Sequence, residues 1–562
     1  MMALKMNFKI NQMKNLLQCF VRAFFLILIV EALSLNPQTV WGNNLTMTNL
    51  EVVNADTAAN TITFSCNFAW DNSWRNTTNF DAVWVILKFS TDAGITWSHA
   101  SMSSSGTNPL GFSVSPNFEI IVPSDEKGFF LQRVDFGTGS VSASNVKFVW
   151  DYAQDGLSDA AAMAANTINK IFGVEMVYIP QGAYYLGDGT SSSEYSFKQG
   201  SSDTEPWYIQ GESAITTTNT ATDGYYYQGS GASGENNSGD AFLISSSFPK
   251  GHHAFYLMKY ELTEGQWVSF FNALSSTARV NRDITSSTQG GKNSDGVVNR
   301  NTVSWDPANS NGFASTSRPD RPVTYVSWPD IMAYADWAAL RPVTEMEFDK
   351  AARGKDVVPL ADEFAWGRNA YVSADAAEIY PNTDENGSEQ IFNGNVNINR
   401  NSLSWTSGDG RTGGLAEGQK GPLRVGIFAE NSTSRATSGA GFYGNMELSG
   451  NLYEMVVTVG RPQGRQFLGS HGDGQLSAVS GYEGNATNID WPGINQTDDT
   501  RGVTGTTGMG YRGGDFQISN IREFQTSSRT RISKDADSSG YAQRYDASFG
   551  VFQGGRLGRT AP

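Results

Sequence analysis

Two cysteines, four histidines and a charged fraction of only 17% make this 562-residue sequence poor in the side chains on which redox and transition-metal chemistry depends. His99, His252, His253 and His471 are the whole histidine supply. Even the adjacent pair His252-His253 has no further His or Cys close by, so a zinc or iron site of ordinary ligand count cannot be built around it. A serine-hydrolase reading fails on the same scarcity of bases and on the lack of a Gly-x-Ser-x-Gly elbow between a strand and a helix. Glycosidase chemistry needs only two carboxylates, which 56 acidic residues do not exclude, but no motif singles out a pair.

Of the two cysteines, Cys19 lies in an N-terminal segment with the marks of an export signal. Lys5, Lys9, Lys14 and Arg22 precede the apolar run Ala23-Phe-Phe-Leu-Ile-Leu-Ile-Val, and Val40-Trp-Gly42 supplies small residues for cleavage. The run is short and closely bounded by Arg22 and Glu31, which favours a signal peptide at 1–42 over a membrane anchor. Cys19 lacks a lipobox-like setting. The mature chain, expected to begin at Asn43, then holds Cys66 alone and no internal disulfide. Ile62, Phe64, Cys66, Phe68 and Trp70 alternate, which makes Cys66 a buried core residue of a strand. Formal charge is −16, and removing the +3 of residues 1–42 leaves −19. Such a surface repels nucleic-acid phosphate and anionic lipid, and it suits an exported protein or a cation binder.

Residues 43–152 show period-two runs at 62–70, 82–89, 118–122 and 129–136, and again at Val146, Phe148, Trp150 and Tyr152. Turn-rich clusters separate them, so an antiparallel β-sandwich of immunoglobulin or fibronectin type is expected. Ser158-Asp159 can cap a short helix that Gly173 would end, making 153–173 a connector helix. The remainder, 174–562, reads as one α+β domain. Its Ser-, Gly-, Asn- and Thr-rich stretches at about 190–250 and 273–318 are expected to be surface loops.

Within it, Gly173-Val-Glu-Met-Val-Tyr-Ile-Pro-Gln-Gly-Ala-Tyr-Tyr-Leu-Gly-Asp188 gives a strand-turn-strand opening. Phe255 to Asn272 pairs a strand with a helix capped by Thr263, and a second helix starts at Ser327. Arg341-Pro-Val-Thr-Glu-Met-Glu-Phe-Asp-Lys-Ala-Ala-Arg-Gly354 carries a third, with Thr344 and Glu347 spaced as a capping box. Glu345, Glu347 and Arg353 are accordingly read as capping and ion-pairing groups rather than catalytic ones. Tyr511-Arg-Gly-Gly-Asp-Phe-Gln-Ile-Ser-Asn-Ile-Arg-Glu-Phe524 and Ser548-Phe-Gly-Val-Phe552 close the series.

In this order and spacing the segments resemble the formylglycine-generating enzyme (sulfatase-modifying factor) family. The resemblance implies a loop-rich fold of C-type-lectin-like kind and two cysteines, five residues apart, that oxidise a sulfatase cysteine with copper and dioxygen. The matching positions here are Ile518 and Glu523, neither of which can form a thiolate or bind Cu(I) through sulfur. The catalytic cysteine pair is missing, and no copper is expected.

The resemblance also implies structural Ca²⁺. Gly444-Asn-Met-Glu-Leu-Ser-Gly-Asn-Leu-Tyr-Glu454 matches the family's calcium turn, which puts side-chain oxygens at Glu447 and Glu454 and carbonyl oxygens at Gly450 and Leu452. A second site maps to Asn395 and Glu417 by side chain and to Val396 and Gln419 by carbonyl. The old catalytic cleft would be lined by Asp515, Phe516, Gln517, Ile518, Asn520, Arg522, Glu523, Phe524 and Gln525, with His471 from a neighbouring turn.

Two function classes follow. One is a secreted, non-catalytic pseudoenzyme with a calcium-stabilised scaffold, acting in extracellular binding, adhesion or cell-envelope structure on an unknown glycan or protein partner. Filament assembly belongs to this class, and so does a variable ligand-binding protein of a diversity-generating retroelement, because 515–526 lies where such proteins vary. The other is a formylglycine-generating-type oxidoreductase, or another enzyme, using the same cleft.

Overall fold

In the computed structural model the described residues are 38–39, 44–188, 196–199, 205–218, 225–226, 241–285, 300–309, 312–374, 379–380, 390–391, 396–400, 421–429, 434–532 and 552–562. The export signal expected at 1–42 falls outside them except for Gln38–Thr39, which pair with the first long strand. Among the described residues no helix is long and apolar enough to cross a membrane. The fold is mixed α+β, mostly antiparallel sheet with few helices.

Six longer strands come first, β1 (Thr46–Asp56), β2 (Thr61–Arg75), β3 (Asp81–Ser90), β4 (Phe118–Val122), β5 (Phe129–Arg133) and β6 (Gly137–Asp151), with two-residue strands at Gln38–Thr39, Ser98–His99 and Gly106–Thr107 added to them. They realise the expected runs at 62–70, 82–89, 118–122 and 129–136, the last of which ends at Arg133. β1 is an addition, since its mostly exposed residues leave no period to read. Cys66 lies on the buried face of β2 with Phe64 and Phe68, and burial pushes its thiol up to about 12.

The connector differs from expectation. Its helix, α1, covers only Asp159–Ala162, where Ser158 accepts from the Ala161 amide as N-cap. By residue 168 the chain is extended again, in β7 (Ile168–Ile179). β7 runs antiparallel to β3 from Ile168 opposite Ser90 to Val177 opposite Asp81, then carries β8 (Phe255–Met258) on its other edge. β12 (Gly558–Thr560) completes that end. One eight-stranded sheet therefore crosses residues 173 and 174 without a break.

β3 explains how the two parts join. All ten of its residues are buried. Val83, Val85, Leu87 and Phe89 pack with β2 and β6 of the four-stranded sheet, whereas Ala82, Trp84 and Ile86 enter the core of the later residues. A strand covered on both faces reads as an unbroken apolar run, as Ala82-Val-Trp-Val-Ile-Leu87 does.

The helices α2 (Glu264–Phe271), α3 (Trp328–Trp337) and α4 (Glu345–Arg353) begin at Thr263, Ser327 and Thr344, each with a capping box. Trp267 and Phe270 of α2 pack against Tyr334 and Trp337 of α3. Two residues of β3 close the far end of α3. Trp84 Nε1 donates to Ala338 O at 2.9 Å and Lys88 Nζ to Trp337 O at 2.6 Å, satisfying carbonyls that a helix end leaves unpaired. Burial lowers the Lys88 ammonium to about 7.

Candidate functional site

A short sheet frames both sequence-predicted sites. β9 (Tyr453–Val457) pairs antiparallel with β10 (Met509–Arg512) and parallel with β11 (Gln553–Gly554). The turn 444–454 feeds β9, and the segment from Gly513 leaves β10.

In the turn, Glu447 takes a left-handed backbone (φ 56°) and is 3% exposed. Its Oε1 accepts from Gly426 N at 2.8 Å, whereas Oε2 is buried with no hydrogen-bond partner. Glu454 is differently occupied. Arg556 binds both of its oxygens, Nε at 2.7 Å and Nη2 at 2.6 Å, and also donates to Met446 O at 2.6 Å. A third carboxylate, Glu261, accepts from Leu452 N at 3.0 Å and from Asn451 Nδ2 at 2.7 Å. Burial first, then the charges of Glu454 and Glu447, hold Glu261 well above the usual carboxylate range.

Calcium requires about six to eight converging oxygens. Glu447 fits that demand, with one buried oxygen unpaired, and Gly450 and Leu452 lie in the same buried turn. Glu454 does not fit, because a guanidinium already holds both oxygens and would repel a cation. Among the described residues no group of three or more His, Cys, Asp or Glu is disposed to hold a metal ion. Of the second expected set, Val396 is buried, and Asn395, Glu417 and Gln419 lie outside the described residues.

The segment after β10 is fastened rather than open. Gly514 (φ 74°) lets the chain turn where a Cβ would stand 2.6 Å from the Phe524 ring. Asp515 is buried and accepts from Gln517 N at 2.7 Å and Ile518 N at 3.2 Å, and burial pushes its carboxyl up to about 7. The Phe516 ring lies 5.5 Å from that of Phe552, tilted by 55°. Ile518, expected from the sequence to match the first family cysteine, packs with Phe364, Trp366 and Phe524. Glu523, the second, hydrogen-bonds the Tyr453 hydroxyl and pairs with Arg531 Nε at 2.9 Å. Gln525 Nε2 donates to Asp362 at 3.1 Å, while Asn520 and Arg522 are exposed. Of the two positions expected to match the family's cysteines, Ile518 thus makes a hydrocarbon contact and Glu523 an ion pair.

His471 is placed elsewhere. Its Nε2 accepts from Thr560 N at 3.0 Å and its Nδ1 stands 3.7 Å from Asp125, so it joins β12 to the N-terminal strands rather than lining 515–525. Glu345, Glu347 and Arg353 have the structural roles expected of them. Glu345 pairs with Arg529 at 2.8 Å, Glu347 with Arg341 at 2.6 Å, and Arg353 with Glu363 and Asp349. Sequence reading missed Glu261 and Arg556. Glu261 lies inside the Phe255 to Asn272 segment but was given no role there, and Arg556 lies outside every motif, 102 residues from its partner.

A family model described as the sulfatase-modifying factor enzyme 1-like domain matches residues 173–541. Among curated relatives, a formylglycine-generating enzyme of Thermomonospora curvata is 48% identical over 50 residues, 9% of this chain and 16% of that protein. One of Streptomyces coelicolor is 51% identical over 53 residues, again 9% and 16%. The alignments to these curated relatives thus span about a sixth of their length.

Proposed function

This chain belongs to the sulfatase-modifying factor enzyme 1-like family, and from that premise we propose that it is a non-catalytic member, an exported scaffold for binding, adhesion or envelope assembly. The observation that carries this reading is Glu523, whose carboxylate is tied to Tyr453 and Arg531 where the family chemistry needs a thiolate. Fold alone does not transmit function when the reacting atoms are replaced. The β1–β6 region is read as an immunoglobulin- or fibronectin-like sandwich and the later residues as the lectin-like fold, which together present loops on a rigid body. The test is a peptide containing Cys-x-Pro-x-Arg, incubated with the protein, copper and oxygen and followed by mass spectrometry. Thiol mass should persist at the rate of the protein-free control. Conversion to the aldehyde above that control would establish the oxidoreductase reading instead.

Calcium belongs to this proposal as a structural ion held by Glu447, with Gly450 and Leu452 as carbonyl ligands. Its support is the unpaired Oε2 in a buried turn that carries Glu447 and Glu454 and packs against Glu261. An ion that binds only the folded state stabilises it by about 2.7 kcal/mol at a hundredfold excess over Kd. Thermal unfolding should shift upward with millimolar Ca²⁺ and downward with chelator, and Glu447→Gln should remove most of that shift. Equal responses of wild type and variant would place the ion elsewhere or nowhere.

A further inference from the structure

Strand pairing brings three ionisable side chains to one buried point. β7 lies antiparallel between β3 and β8, and the chain leaving β8 keeps that register, because Lys259 N donates to Glu175 O at 2.9 Å. Asp81 stands opposite Val177. Residues two apart on a strand share a face, so Asp81, Glu175 and Lys259 project together on the side of Val177 and Leu257. There Lys259 Nζ is 3.5 Å from Asp81 Oδ2 and 3.3 Å from Glu175 Oε2, and each of the three side chains is at most 4% exposed. Trp74 and Tyr260 cover the ammonium, with ring centroids 5.0 Å and 5.6 Å away.

As an ion pair this is a poor arrangement. Two carboxyls face one ammonium, and buried charge is costly unless it is paired and hydrogen-bonded throughout. Among the described residues neither Glu175 oxygen has an aligned hydrogen-bond donor. Burial pushes the Glu175 carboxyl up to about 8 and raises that of Asp81 as well, so near neutral pH the two hold a proton between them. Lys88, Lys250 and Lys350 are buried too, but each ends on main-chain carbonyls.

The surroundings of Asp81 suit an acyl centre. Its Oδ1 accepts from Trp74 N at 3.0 Å and from Ser73 Oγ at 2.8 Å, two fixed donors of the kind that stabilise an oxyanion. Its Oδ2 faces Nζ and accepts from Trp70 Nε1 at 3.1 Å. Nζ is thus held against the carboxyl at contact distance, the proximity that makes a condensation intramolecular. It also donates to Asn72 O at 3.2 Å, an acceptor that an amide N–H at the same place would keep.

We propose that Lys259 and Asp81 join in an isopeptide bond, which the protein forms on itself with Glu175 as proton carrier. Nζ brings three protons and the two carboxyls one between them, on Asp81 Oδ2. Glu175 takes a proton from Nζ, whose lone pair attacks Asp81 Cγ while Trp74 N and Ser73 Oγ hold the charge on Oδ1. Glu175 then hands its proton to Oδ2 and takes the second from nitrogen. The Cγ–Oδ2 bond breaks and Oδ2 leaves as water. The products are an amide with one N–H, one water and a protonated Glu175, and nothing is oxidised or reduced. Condensation removes both buried charges, which favours the amide in this site. The bond ties β3 to the end of β8 across 178 residues, in a chain where Cys66 is the single cysteine among the described residues.

The test is mass spectrometry of the full purified chain, denatured and digested with trypsin. Lys259 and Asp81 should be recovered in one branched peptide, lighter by one water than the two linear peptides together, and fragmentation should place the bond between these two side chains. A covalent bond survives denaturation, so this readout needs no variant to fold. Glu175→Gln removes the proton carrier, a function worth roughly 10²–10⁴-fold in rate, and should leave Lys259 and Asp81 in linear peptides while far-UV circular dichroism stays that of wild type. If that variant unfolds, Glu175→Asp, whose acid is one methylene shorter, should show a larger unlinked fraction than wild type. Lys259→Arg should carry no link and should migrate behind the wild type on a denaturing gel, because the linked chain is closed into a loop. The proposal is overturned if wild-type Lys259 and Asp81 are recovered only in linear peptides, if the bond joins Lys259 to Glu175, or if Glu175→Gln links as completely as wild type.

Discussion

Arg556→Met is expected to cost about 3–5 kcal/mol of folding stability, the penalty for stripping one partner from a buried ion pair. Arg556 and Glu454 side chains are each 1% exposed, and the guanidinium also binds the Met446 carbonyl. Its removal strands Glu454 beside Glu261 and Glu447, both buried carboxylates. The single variant should show a large fall in the urea midpoint with little change in slope. Arg556→Met combined with Glu454→Leu should recover most of the loss, because replacing both partners leaves no uncompensated charge. A cost below about 1 kcal/mol for the single variant would mean that another cation already neutralises Glu454.

Trp84→Ala should be as damaging and should act on the whole molecule. The side chain is 1% exposed, packs 4.8 Å from the Phe130 ring, lies under Arg559 at 4.2 Å and donates to Ala338 at the end of α3. Truncating a buried tryptophan costs about 3–5 kcal/mol, and orphaning the carbonyl adds about 1–3 kcal/mol. Trp84→Phe keeps the ring and should lose only part of this. Far-UV circular dichroism and tryptophan fluorescence should lose their midpoints together, because β3 belongs to both cores. A body that melts at the wild-type midpoint after Trp84→Ala would show that β3 does not bind the two cores into one unit.

What was legible in the sequence was local. Thr263, Ser327 and Thr344 announce their helices within three residues, and the alternation through Cys66 marks β2. The family segments are local too, which is why the family could be read directly from them. Features that depend on distant partners could not. The continuity of β3 with β7, and the shortness of α1, follow from pairing across some eighty residues. His471 sat in a turn that gave no sign of Thr560 as its neighbour. Glu454 looked like a calcium ligand because its guanidinium partner lies beyond the last recognisable block. Lys259 meets Asp81 across 178 residues of sequence, and nothing local to either announces the other.

Cu(I) affinity tests the claim of catalytic silence most directly, because it does not depend on offering the right substrate. Cu(I) prefers soft sulfur ligands, and the site the family resemblance implies would supply them as a pair of thiolates. Of this chain's thiols, Cys66 is buried with its acidity suppressed to about 12, and Cys19 lies in the segment read as an export signal. Competition of the mature protein with a chromophoric Cu(I) chelator, under reducing conditions and without oxygen, should leave the metal with the chelator. One equivalent of Cu(I) drawn onto the protein, and lost on changing residues in the 515–525 segment, would contradict the non-catalytic account.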